Sequence, residues 1–322
     1  MANFDTSDAA YNAELRKFET TDPVHADTFN QVAEQLIKND VAIRNGSGLS
    51  AVSAYSDSYQ FMILTPDGPA LVNKADLIRL AVPNNAGAHN CIYRGKYLGD
   101  HVTDAQFAAI KNGTFDDLFL GDYWTIGGQN WRIWGFDWGL RIGDSEFGTH
   151  AAVIMPDGNI LNADGSTTHY MNSKDTTEGG YAGTVYRSTY RATCKSTIAS
   201  AFGSSHIGAH RELISNAVTN GQASGWAWTD CDVELPSEIM MYGSCVWGNS
   251  AQGGGSGYNC GSAYPILPLT AIAPQFVRNR ANYWLRDVAS ASFFAVVNND
   301  GCANSGGASA SWVGVRPYFF LV

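Results

Sequence analysis

The sequence predicts an α+β fold: an N-terminal helix, a small β connector, and a long domain of short strands and long loops. Three observations carry this. Of 322 residues only 16% are charged, while 12% are aromatic and 34 are glycine, a composition suited to strands and turns. Residues 1–45 hold clear helix start and stop signals. Beyond them, apolar runs are short and are punctuated by turn signals such as Gly127-Gly128.

In chain order, Asp22 reads as an N-cap and Pro23 as the first helical residue. Phe29, Val32, Leu36, Val41 and Ile43 follow at roughly helical spacing, and Asn45-Gly46 stops the run. A helix over 23–44 measures about 33 Å at roughly 1.5 Å per residue. Its only local partner is the short stretch 11–18. Two arrangements suit its apolar stripe, self-association as in a three-helix bundle or packing on its own globular domain, and periodicity does not choose between them.

Residues 46–87 read as a connector. Gln60-Phe-Met-Ile-Leu-Thr and Ala70-Leu-Val-Asn flank the turn signal Pro66-Asp-Gly-Pro69, which predicts a β-hairpin. Residues 75–81 read as a short helix and Pro83-Asn-Asn-Ala-Gly-Ala-His as a linker. The main domain spans 88–322. In it, 103–112 reads as a helix with Thr103 as N-cap and Gly113 closing it. Residues 123–126 and 131–136 form a hairpin about Gly127-Gly128, and 151–155 is a strand before Pro156-Asp-Gly158. Residues 196–202 and 211–218 read as short helices. No repeat of 20–50 residues is present.

The bulk properties exclude several classes. A formal charge of -10 argues against binding a phosphate backbone, so no nucleic-acid partner is expected. With 45% hydrophobic residues the chain can bury a core, yet no window approaches 18 apolar residues, so no membrane insertion is expected. The opening Met-Ala-Asn-Phe-Asp-Thr-Ser-Asp lacks the basic and apolar regions of a secretion signal, which implies synthesis in a cytoplasm. The six cysteines (Cys91, Cys194, Cys231, Cys245, Cys260, Cys302) contain no C-x-x-C pair, so free thiols are expected and a structural zinc site is not.

One segment stands apart. Residues 288–315 contain a single charged side chain, Asp300, among Ser, Ala, Gly, Asn and Val, with Phe293, Phe294, Cys302 and Trp312 interspersed. Small polar residues with aromatic anchors are the composition of a paratope, although a Gly/Ser-rich β core reads the same way.

Here Tyr283-Trp284-Leu285-Arg286-Asp287, then Asn298-Asn299-Asp300-Gly301, then Gly314-Val315-Arg316-Pro317 resemble the C-terminal signature of diversity-generating-retroelement variable proteins, the family of the phage major tropism determinant. The resemblance implies a C-type-lectin-like fold, with 267–272 and 315–321 as its buried strands, and a receptor-binding phage tail protein. In that family adenine-directed mutagenesis rewrites Asn codons within the signature. Laid on this pattern, the rewritten positions are Phe293, Val296, Asp300, Cys302, Ser305, Gly306, Gly307 and Ala310, with Asn298, Asn299 and Asn304 as unaltered or reverted sites. Asn282 and Tyr283 join the ligand-binding set, as does Trp312, which adenine changes cannot produce and where the pattern departs from the family's. Ile92-Tyr-Arg-Gly-Lys-Tyr-Leu-Gly, Gly121-Asp-Tyr-Trp-Thr-Ile, Met171-Asn-Ser, Thr177-Glu-Gly-Gly-Tyr and His206-Ile-Gly-Ala-His-Arg-Glu resemble the same family. Residues 18–30 resemble the attachment helix of tail and baseplate proteins. The expectations that follow are a virion location at the tail tip, a bacterial surface receptor (protein or glycan), neighbouring tail proteins as partners, and a homotrimer. Three copies raise avidity over one site by roughly 10²–10⁴.

Other motifs are weaker. His206 and His210, spaced for one helix face with Glu212 near, lack the order of a zinc motif. Asn162-Ala-Asp164-Gly-Ser lacks the Glu that completes a calcium loop, and the lectin triplets Glu-Pro-Asn and Gln-Pro-Asp do not occur. Gly253-Gly-Gly-Ser-Gly257 lacks the Lys of a phosphate loop and reads as flexible. Neither metal nor cofactor is expected, and no catalytic set. The competing readings are a tail-associated glycan hydrolase using two of Asp137, Asp144 and Glu146, an enzyme related to the formylglycine-generating type with Cys245 and Cys260, and a purely structural baseplate part.

Overall fold

A computed structural model describes residues 26–44, 60–65, 68–73, 77, 81–248 and 266–322. Residues 11–18, most of 75–81, Gly253–Gly257 and Cys260 lie outside the described residues. The chain divides into compact units at 1–74 and 75–322. This boundary cuts through the connector expected over 46–87. Its hairpin belongs to the first unit and its Pro83–His89 stretch to the second.

In the first unit, Ala26–Arg44 (α1) is helical, as the apolar spacing predicts; the expected caps Asp22, Pro23 and Asn45-Gly46 lie outside the described residues. Gln60–Thr65 (β1) pairs antiparallel with Gly68–Asn73 (β2) about the expected turn. Met62 faces Leu71 across this hairpin, and both are exposed, as are Leu36 and Ile37 on α1.

The second unit mixes helix with antiparallel sheet, as an α+β reading requires. Pro83–His89 is not a linker. Asn85 caps a short helix, Ala86–His89 (α2), accepting from Ala88 N at 3.0 Å. Asn90 then exchanges two 2.8 Å hydrogen bonds with the main chain of Phe136. Such an Asn clamp ties the segment to the sheet. Asp104–Lys111 (α3) has the predicted Thr103 cap, completed as a capping box by Gln106.

Tyr123–Ile126 (β3) and Gln129–Phe136 (β4) form the predicted hairpin, with Gly127 and Gly128 supplying the positive φ its turn needs. Ala152–Pro156 (β5), Val233–Glu234 (β8) and Tyr318–Leu321 (β12) complete a sheet of order β3-β4-β5-β12-β8. The last strand therefore lies inside this sheet, and its residues are fully buried. Arg94 and Lys96 reach Asp122 through two guanidinium bonds at 3.1 and 2.6 Å and a main-chain bond at 2.8 Å. Two of the sequence segments singled out above thus meet.

Two expected elements differ. Residues 211–218 are not helical. His210–Thr219 (β6) pairs with Gln222–Cys231 (β7), turning at Asn220-Gly221 with positive φ at both residues. Leu213-Ile214 and Ala217-Val218 mimic a helical period, but the Asn-Gly turn and the pairing along β7 decide the outcome. Residues 267–272 form no strand. Pro268 sits at the first position of Pro268–Ile272 (α5), where its fixed φ suits a helix start. Of the expected helix at 196–202, the structure extends the start to Arg191–Phe202 (α4).

A second sheet has the order β11-β10-β9, from Ala303–Gly307 (β11), Phe293–Val297 (β10) and Tyr283–Val288 (β9). The two ends of the charge-poor segment close on each other. Trp284 N donates to Gly314 O at 3.0 Å and Gly314 N to Asn282 O at 2.9 Å. Fully buried Arg316 lies between the rings of Trp134 and Tyr283, at 4.9 and 5.1 Å from their centroids. It donates to the carbonyls of Pro156, Phe276 and Val277 at 2.8, 3.0 and 3.1 Å. A Cβ on Gly314 would stand 1.7 Å from Asn159 Nδ2. Gly314→Ala is therefore expected to cost about 1–3 kcal/mol by overpacking, read as a lower urea midpoint.

Candidate functional site

Ser290–Ala310 forms a hairpin fixed at both ends. At its tip, Asn298 O accepts from Gly301 N and Asn298 N donates to Cys302 O, both at 2.9 Å, with Gly301 at φ +92. That is a three-residue turn closed by a left-handed glycine. Asn282 Oδ1 accepts from Asn299 N at 2.8 Å, and Tyr242 OH donates to Gly301 O at 3.1 Å. At the base, Asn172 N donates to Ala308 O at 2.9 Å, and Asp175 accepts from Ser309 N and Oγ at 2.9 and 2.8 Å.

The candidate residues separate by position. Phe293, Asn299, Asp300, Cys302 and Trp312 are exposed. Asn282, Asn298, Asn304, Ser305, Gly306, Gly307 and Ala310 are half-buried. Val296 and Tyr283 are corrections to the site: they are 2% and 0% exposed and belong to the core. β10 is covered on both faces from Phe294 to Val297, so only Phe293 at its start is exposed, and β9 is buried throughout. Phe293, Ser305 and Gly307 share one face of the β10–β11 ladder, while Val296, Asn304 and Gly306 share the other. Gly306 is constrained as well, since its Cβ would meet Val296 Cγ2 at 3.2 Å and the Trp284 ring at 3.3 Å. The exposed part is thus one ring at the strand start, the turn at the tip, and Trp312 after the hairpin.

The other sequence candidates disperse. His206 and His210 share no helix: His206 closes a short 3-10 turn and His210 opens β6. Asp137 holds His150 Nδ1 at 2.7 Å, Asp144 pairs with Arg211 at 2.6 Å, and Glu146 lies 3.7 Å from Arg141. Each acid has a separate partner.

His210, Glu212 and Cys231 do meet, with one potential ligand atom of each within 4.8 Å of the others. Their partners favour an ion cluster over a metal. His210 Nδ1 is 3.0 Å from Gly208 O and Nε2 is 2.6 Å from Glu212 Oε1. A carbonyl and a carboxylate only accept, so both ring nitrogens carry protons. Arg286 and Tyr318 donate to the same carboxylate. Burial opposes the Glu212 charge, but Arg286, His210 and Tyr318 outweigh it and hold its pKa far below normal. Burial likewise opposes the His210 charge, and Glu212 outweighs it, raising the ring's pKa. Burial pushes the Cys231 thiol well up, away from the thiolate a metal takes.

Beside this cluster, burial and the charge of Glu238 push Asp287 up to about 7. Its unfolded value is near 3.8. The folded state therefore holds the extra proton, and stability falls as pH rises from about 4 to about 7, by about 1.4 kcal/mol per pH unit at most. His210 acts in the same direction: its contribution is complete below the unfolded value of 6.5 and is lost as pH climbs through the raised folded value. The unit is expected to be more stable at pH 5.5 than at pH 8.5, and Asp287→Asn to flatten that slope in urea titrations.

A separate groove of about 430 Å³ lies between the Gly127 turn and α4. Thr193, Ser196, Thr197 and Ser200 line it at i, i+3, i+4 and i+7, above Trp131 and Leu161, and none of its lining residues is charged. That hydroxyl stripe was legible in the sequence, but without the facing hairpin it reads as an ordinary solvated helix face.

No family model, curated protein or solved structure matches the chain.

Proposed function

We propose that this protein is a phage tail receptor-binding protein that adheres to a bacterial surface molecule through the hairpin β10–β11 and the turn after it, and that it is not an enzyme. The observation that carries the reading is the pairing of a partly exposed hairpin, with Asp300 its single charged side chain, with buried anchors on both flanks, Trp284–Arg286 before it and Val313–Arg316 after it. Side chains at Phe293, Asp300, Cys302, Ser305, Ala310 and Trp312 can change without touching those anchors. The sequence resemblance adds the C-type-lectin-like fold, the variable positions and the tail-tip location in the virion. Exposed Leu36, Ile37, Met62 and Leu71 in the first unit support self-association, with a homotrimer as the expected form, and attachment to other tail proteins. Flow cytometry of labelled protein on a panel of gut bacteria tests the reading. Saturable binding restricted to some strains supports it; uniform absence of binding turns the assignment towards a structural baseplate part.

A further inference from the structure

We propose that the outer edge of β11 takes up an extended strand of a protein receptor through main-chain hydrogen bonds. This deepens the proposed function and rests on it for the partner's place on a host surface.

The sheet order β11-β10-β9 leaves β11 at an edge. Which of its groups face outward follows from the register. At the base Ala308 N donates to Ser292 O, and at the tip Asn298 N donates to Cys302 O, both at 2.9 Å. Hydrogen-bonded pairs alternate along an antiparallel ladder, so Asn304 and Gly306 turn their main chain to β10. Ala303, Ser305 and Gly307 turn theirs away. Two bonds agree with this: Ser305 N reaches its neighbour's Asn304 Oδ1 at 2.9 Å, and Gly307 O accepts from Ala310 N at 2.9 Å. Among the described residues, no hydrogen bond reaches Ala303 N, Ala303 O or Ser305 O.

Sheet edges are usually guarded by charge, proline or a bulge. This one has none of them. Its sequence is Ala-Asn-Ser-Gly-Gly, and its pairing with β10 runs without a register shift. By contrast the β6–β7 ladder carries register shifts and the charges of Arg211 and Asp230. The edge is also rigid, because the tip is held by Asn282 and Tyr242 and the base by Asn172 and Asp175.

The open outward groups, Ala303 N and O and Ser305 O, lie on alternate residues about 6.8 Å apart, the spacing of a polypeptide strand. Main-chain pairing also tolerates side-chain change at Ser305, while exposed Phe293, paired with Gly307, offers an apolar foothold for selectivity.

The test selects binders to the full chain from a displayed library of random twelve-residue peptides. Ala303→Pro removes an outward N–H and leaves the β10 ladder intact; Ser311→Thr, at an exposed position after β11 and outside the candidate site, changes only a side chain. The expected result is peptides that hold wild type and Ser311→Thr alike and lose about tenfold or more on Ala303→Pro. The same peptides should lose about as much when alternate backbone nitrogens are methylated, a comparison that needs only wild-type protein if Ala303→Pro fails to fold. Equal binding by Ala303→Pro, indifference to methylation, or no enriched peptide overturns the proposal. Self-association abolished by Ala303→Pro overturns it too, assigning the edge to a second copy. On bacterial cells, binding that survives Ala303→Pro refutes the edge and leaves the adhesin reading intact. If wild type binds no cells, the adhesin reading fails and the peptide arm alone decides the edge.

Discussion

Glu212→Ala is expected to destabilise the 75–322 unit by about 3–5 kcal/mol, the cost of breaking a buried ion cluster from one side. The carboxylate is fully buried and receives His210, Arg286 and Tyr318. Removing it leaves an imidazolium and a guanidinium in the core without their shared counter-charge. His210 must then give up its proton, and Arg286 cannot. A concerted replacement, His210→Phe with Glu212→Leu and Arg286→Met, should recover most of the loss, because desolvation rather than lost attraction dominates. Urea unfolding of the three proteins reads both effects. A Glu212→Ala protein as stable as wild type would mean that the cluster is solvated.

The second large contrast lies within one strand. Val296→Asp is expected to unfold the domain or cost several kcal/mol, since it places a carboxylate at a position 2% exposed. Phe293→Asp, three residues earlier at the start of the strand and 44% exposed, should stay within about 0.5 kcal/mol. Yet it removes the one exposed side chain of β10, so host binding should suffer while thermal unfolding does not move. Both residues carry the same weight in the sequence pattern, and only the packing around the strand separates them.

That case shows what was legible in the sequence. Local chemistry was readable: the Thr103 cap and the Gly127-Gly128 hairpin are set by neighbours in the chain. Pairing at a distance was not. The period at Leu213-Ile214 and Ala217-Val218 outweighed the Asn220-Gly221 turn, although that dipeptide was the better signal. The strand expected over 267–272 overlooked Pro268, which starts a helix. In the site, a stretch with one charge reads as surface or as core, and β10 shows no alternation because both its faces are covered. Burial of Val296 and Tyr283 depends on what lies beneath them, including Trp284 and Arg316, far off in the chain or on the same strand. The ion cluster joins residues 74 and 106 positions apart and left no local trace.

The central claim is that the outward side chains of this hairpin choose the surface to which the protein adheres. The most direct measurement compares wild type with a variant exchanged together at Phe293, Cys302, Ser305, Ala310 and Trp312, on the same bacterial panel, with unfolding curves for both. The account predicts matching curves and strain binding that is abolished or redirected. Matching curves with an unchanged strain profile would contradict it.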